Sequence, residues 1–171
     1  MKDTLNILFD KSIQLGEANY TEKQVELKWI GNPPVSSIEI EEAESRLGII
    51  FPQDYIELLT IANGFPTCSN SVEPSFLKVS EIDFYKNYHW NVIDDWSETG
   101  ELDDIVSELK RAIMIAGHGE EQQFLIIPPT ASNNKWKYWK FATWIPGEEV
   151  HADLHSYLVS VIDFLNDVIK E

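Results

Sequence analysis

Only one of the 171 residues is a cysteine, Cys68, so no internal disulfide can staple this chain and its stability must come from a hydrophobic core. A lone thiol is compatible with a reducing cytoplasm, which is the expected location. Long apolar runs are also missing. The N-terminus offers only Leu5 to Phe9 between Asp3 and Asp10, and no later run approaches the roughly 18 residues that a bilayer crossing needs. The reading is a soluble protein that carries no classical export signal. Asn19-Tyr20-Thr21 matches a glycosylation acceptor, and without such a signal it reads as chance. Cations are scarce, with 13 Lys and Arg against 29 Asp and Glu and a formal charge of −16. Nucleic-acid affinity rests on cations that release condensed counterions, so direct DNA or RNA binding is not expected. The same field would speed encounter with a basic protein. No internal repeat, Gly/Ser linker or low-complexity tract divides the chain, and its length suits one substantial core.

What the chain does have is densest between residues 38 and 64. Ser36 and Glu39 have capping-box spacing, in which hydroxyl and carboxylate each take a free amide of a helix start. Ile40, Ala43 and Leu47 follow at helical spacing among glutamates, and Gly48 suits a left-handed C-terminus. Pro52 fits the opening of a second helix whose buried stripe is Tyr55, Leu58, Leu59 and Ala62, closed by Asn63-Gly64. Helices are therefore expected over 38–47 and 53–62, packed through Ile40, Leu47, Tyr55, Leu58 and Leu59.

The order of these signals resembles the opening signature of the SUKH superfamily, carried here by Ile40, Glu44, Leu47, Gly48, Phe51, Pro52, Asp54, Tyr55, Leu58, Leu59, Asn63 and Gly64. RAIMIAGHGEEQQFLIIPP is similar to that family's strand, glycine turn and strand, and SYLVSVIDFL to its terminal helix. The resemblance covers residues 36–171, with residues 1–35 as a helix and strand extension of the same domain. It implies bacterial immunity proteins, which neutralise toxins exchanged between competing cells, or fungal regulators of cell-wall assembly. Near the central turn, where the family often has Gly-Asp, this chain reads Gly117-His118-Gly119. The choice of partner does not transfer.

Elsewhere, residues 3–15 read as a helix with Leu5, Leu8 and Phe9 on one side, and VELKWI at 25–30 as an alternating strand before Gly31-Asn32-Pro33-Pro34. Residues 66–75 look like a loop. FLKVSEIDFY begins as a strand and turns helical after Ser80, and Asp103 starts a helix leading into RAIMIA. FLIIP is apolar throughout, as expected of a central strand buried on both faces. KWKYWKFATW, after a turn at Asn133-Asn134, has strand residues throughout, with Trp136, Tyr138 and Trp144 on one face and Trp139 and Phe141 on the other. Either helices cover both faces, or one face stays open and offers aromatic anchors; Lys135, Lys137 and Lys140 bring part of the strand to solvent. The last helix lines up Leu154, Tyr157, Leu158, Val161, Ile162, Leu165 and Val168. The expected class is α+β: a single SUKH-like domain with a mainly antiparallel sheet packed with helices.

Catalytic patterns are incomplete. His151 and His155 sit four apart and would share a helix face, yet no third metal ligand is evident. Gly117-His118-Gly119 lacks the rest of a phosphate-binding fingerprint, and no motif pairs Cys68 with a base. Asp94-Asp95 and Asp103-Asp104 are adjacent solvated pairs without the contrasting environments that acid/base chemistry needs. The expectation is a non-catalytic protein with no metal and no cofactor. It would bind and neutralise a protein toxin, a nuclease with a basic cleft being one candidate, while an adaptor that recruits endogenous proteins is the alternative. Local charge places partner binding on Asp94, Asp95, Trp96, Glu98, Glu101, Asp103 and Asp104, a stretch with no Lys or Arg, where carboxylates would steer and Trp96 would anchor.

Overall fold

The computed structural model describes residues 1–69, 73–142 and 144–170; of residues 145–148 it describes the backbone alone. Helix α1 (Lys2–Leu15) turns Thr4, Leu5, Leu8, Phe9 and Ser12 inward and ends at left-handed Gly16. α3 (Ser37–Leu47) opens on the expected capping box, with the Glu39 carboxylate accepting from the Ser36 amide at 2.8 Å, and closes at left-handed Gly48. α4 (Gln53–Ile61) follows Pro52 and buries Tyr55, Leu58 and Leu59. Between α1 and α3 lies α2 (Glu22–Leu27), which corrects the expected strand at 25–30. Thr21 and Gln24 form a second capping box, and Lys28 stops the helix in the left-handed region at φ 49°. No residue of α2 is buried, so its two-residue alternation reports no sheet face.

The sheet has five strands in the order β1-β2-β3-β4-β5, every pairing antiparallel. These are β1 (Asp83–Phe84), β2 (Ile113–Ala116), β3 (Gln122–Ile127), β4 (Lys137–Ala142) and β5 (Ile145–His151). Three short helices interrupt it: α5 (Tyr85–Tyr88), α6 (Trp90–Thr99) and α7 (Asp103–Leu109), and α8 (Leu154–Lys170) closes the chain. Strand alternation sorts side chains into two cores. Ile113, Ile115, Phe124, Ile126 and Tyr138 face α1, α3, α4 and α8, whereas Met114, Leu125, Ile127, Trp139 and Phe141 face α5, α6 and α7. β3 is the central strand, buried on both faces as expected, and helices cover both faces of β4.

Other expectations change. Ser80 starts no helix: Phe76 makes isolated bridges to Phe65 and Ala116, then come β1 and only afterwards α5. Lys140 is buried, because it points into the larger core and meets the carboxylate of Glu73 at 2.8 Å. α6 and β5 had no counterpart among the expected elements. Asn70 to Val72 of the expected loop and Thr143 of the expected strand lie outside the described residues.

The signature residues tie elements together. Asp54 accepts from the Tyr138 hydroxyl at 2.7 Å and from the Leu154 amide at 2.9 Å, so a side chain of α4 satisfies the start of α8. Glu44 accepts from the Phe51 amide at 2.8 Å, and Asn63 from the Val79 amide at 2.7 Å. Gly64 has φ 73°, and a Cβ there would lie 2.5 Å from the Phe76 carbonyl oxygen. These residues account for much of the fold.

Candidate partner-binding site

The acidic stretch folds as two packed helices, α6 and α7. Ile93 is fully buried, and the Trp96 ring meets Phe141 edge-on at 5.8 Å, which seats α6 on the smaller core. Gly100 ends α6 in the left-handed conformation. Val106 and Leu109 seat α7, while Asp103 and Asp104 occupy its first turn, where negative charge complements the helix dipole. Asp94, Asp95, Glu98, Glu101, Asp103 and Asp104 are all exposed, and none forms an ion pair with the described residues. Trp96 is half-buried, one side against Phe141 and the rest at the surface.

Sequence reasoning missed Trp90. It opens α6 at 53% exposure, four residues before Asp94 and eight before Glu98, so one helix face carries an indole and two carboxylates. The recoverable signal was the four-residue spacing of Trp90, Asp94 and Glu98, once Gly100 is taken as a C-cap.

Groups with catalytic potential are built into the fold. His151 ends β5 and His155 lies in α8, so the two do not share a helix. The His151 ring packs edge-on against Tyr157 at 5.1 Å, and burial holds its pKa below the usual imidazole value, partly opposed by Glu149 at 3.5 Å. Burial pushes the Cys68 thiol up to about 12, so it stays protonated and unreactive at neutral pH. Gly117 makes the tight β2–β3 connection: at φ 86°, a Cβ would fall 2.0 Å from the Gln122 carbonyl oxygen. Its amide donates to the Ser75 carbonyl at 2.9 Å, which ties that turn to the 73–76 segment. Glu73, Lys140 and Tyr157 form a buried polar knot, with the Tyr157 hydroxyl 2.7 Å from the carboxylate. Burial raises the Glu73 pKa, outweighing the attraction of Lys140 and the bond from Tyr157. Among the described residues no group of three or more His, Cys, Asp or Glu side chains is placed to hold a metal ion, and no helix is long and apolar enough to cross a membrane.

An antiparallel sheet covered by helices on both faces, with a carboxylate-rich hairpin at the surface, defines a compact α+β domain. Residues 34–167 match the SMI1 / KNR4 family (SUKH-1), and the chain belongs to that family. Family membership supports a role as an immunity protein or a regulator, exercised through a protein partner. No curated protein matches the sequence.

Proposed function

We propose that this chain is a cytoplasmic immunity protein without catalytic chemistry of its own, which neutralises a protein toxin by covering its working surface. The observation that carries this reading is the α6–α7 hairpin, where six exposed carboxylates, none in an ion pair with the described residues, share two packed helices with a partly exposed indole in a chain of charge −16. A toxin domain that cleaves nucleic acid fits best, because its cleft must be cationic and carboxylates can take the places of phosphates. Asp94, Asp95, Glu98, Glu101, Asp103 and Asp104 steer the encounter. Trp96, held rigid by Phe141, and the more exposed Trp90 supply the short-range contact.

The test is a search of the gene's neighbourhood for an encoded toxin domain, followed by binding kinetics against it. Replacing Asp94, Asp95, Glu98 and Glu101 with their amides should slow association at least about tenfold at low salt and flatten its salt dependence, whereas Trp90→Ala and Trp96→Ala should mainly speed dissociation. Unchanged association at low salt would remove the hairpin from the interface. If no such toxin gene lies nearby and the protein captures a housekeeping complex instead, it is a regulatory adaptor.

A further inference from the structure

The surface most unlike the rest of the molecule lies on the opposite core, where the segment ahead of the family match meets α4. Two hollows, about 310 and 550 Å³, share Leu27, Trp29 and Pro34 as a common wall and so form one groove. Every ionisable side chain lining it is a lysine: Lys23 in the first hollow, Lys2 and Lys28 in the second. In a chain where carboxylates outnumber cations by 29 to 13, a lining of three lysines and no carboxylate departs from the composition of the rest. Glu22 and Glu26 belong to α2 as well, but neither lines the groove.

The groove is held in shape before anything binds. The Gln24 side-chain amide donates to the Ile30 carbonyl at 2.7 Å, and the Trp29 amide to the Gln24 carbonyl at 3.0 Å. Asn32 is fastened twice to the end of α4, through its amide to Gly64 at 2.9 Å and its side chain to Asn63 at 3.1 Å. Gly31 lets the Trp29 indole lie close, since a Cβ there would stand 2.9 Å from Nε1 and 2.5 Å from the Ala62 Cβ. Lys28 is the one described non-glycine residue with positive φ, a conformation that L side chains rarely adopt, and it lines the groove. Leu27 nevertheless stays 61% exposed and Val25 49% exposed, apolar side chains that the fold leaves uncovered.

We infer that this groove docks a short acidic segment of a partner polypeptide, one apolar side chain lying between Leu27, Trp29 and Pro34 and flanking carboxylates meeting Lys2, Lys23 and Lys28. Charge complementarity selects the occupant. A second copy of this chain carries −16 and nucleic acid is a long polyanion, so the field of the whole chain repels both, whereas a short segment meets chiefly the three lysines within a Debye length of about 8 Å and also uses the apolar wall. A pre-shaped groove lowers the ordering cost on the protein side, so a few side chains suffice for measurable affinity. The inference does not depend on the α6–α7 reading, and the toxin takes no part in its test.

The experiment is a titration of the isotope-labelled full chain with the peptide acetyl-Glu-Leu-Glu-Phe-Glu-amide, followed by amide and indole NMR shifts. The expected result is saturable shifts centred on Leu27, Trp29 and Asn32. Binding should weaken about tenfold or more, 1.4 kcal/mol or above, for the same peptide with Gln in place of Glu. A similar loss is expected for the Lys23→Glu/Lys28→Asn variant, whose positions are exposed, and for Leu27→Ser as an independent change. Equal binding of the Glu, Gln and Lys peptides would overturn the inference, as would the absence of shifts at millimolar peptide. Displacement by an oligonucleotide, or sedimentation showing self-association through Leu27 and Trp29, would overturn it equally by naming a different occupant.

Discussion

Lys140 and Glu73 show how one buried contact sets both stability and its pH dependence. Both side chains are over nine-tenths covered, and burial raises the Glu73 pKa despite its partner. Lys140→Met strands the carboxylate and should cost about 3–5 kcal/mol at pH 8, read by denaturant melts. At pH 5 the cost should be smaller, because a carboxyl whose folded pKa is raised takes up a proton and sheds its charge. The double variant with Glu73→Gln should recover much of the loss. His89 and His151 act in the opposite sense: burial holds both below the ordinary value of 6.5, so the unfolded chain protonates first. Their contribution is complete above pH 6.5 and is lost as pH falls from there toward the folded values. His89→Phe and His151→Phe should each flatten the fall in melting temperature between pH 6.5 and about pH 5.5. An unchanged slope in both would mean other groups govern acid destabilisation.

Among the elements, α8 carries its own N-cap, the Asp153 carboxylate accepting from the Ser156 amide at 2.7 Å, and takes a second cap from another helix. Its Leu154 amide is satisfied by Asp54 in α4, and the same carboxylate holds the Tyr138 hydroxyl of β4. Asp54→Ala should therefore cost about 3 kcal/mol, more than an ordinary helix cap, since two hydrogen bonds to a charged group are lost together. Hydrogen exchange should show the first turn of α8 opening before the rest of that helix. A loss below about 0.5 kcal/mol would reduce Asp54 to a surface carboxylate. By contrast, α6 has no side-chain N-cap and ends at left-handed Gly100, so it is held by packing, through buried Ile93 and the contact of Trp96 with Phe141.

For the molecule as a whole, the family match begins at residue 34, yet the core begins at residue 4. Leu5, Leu8 and Phe9 are 0–3% exposed, and α1 packs along α8. Burying three such side chains contributes about 6 kcal/mol, comparable to the entire stability of an ordinary domain. Removal of residues 1–16 should consequently abolish cooperative unfolding and collapse the dispersion of the NMR spectrum, although every signature residue remains. A truncated chain that melts cooperatively within about 5 °C of the full one would show α1 to be an accessory.

Local chemistry decided much of this fold from the sequence alone. Ser36, Glu39 and Gly48 bound α3 because capping and left-handed termination act over three or four neighbouring residues, and the stripes of α1, α4 and α8 followed from helical period. The continuous apolar run of β3 announced burial on two faces in the same way. The tertiary structure decided what depends on contacts between distant residues. VELKWI alternates like a strand, but its Val25–Leu27 half is helical, because Thr21 and Gln24 cap α2 and the segment pairs with neither edge strand, β1 or β5. Lys140 looked solvated until pairing in β4 turned it toward Glu73, 67 positions away. The acidic residues were legible by composition, whereas their common display beside Trp90, and the lysine-lined groove around Trp29, exist only because packing of α6 on Phe141 and of the N-terminal segment on α4 leaves those particular faces uncovered.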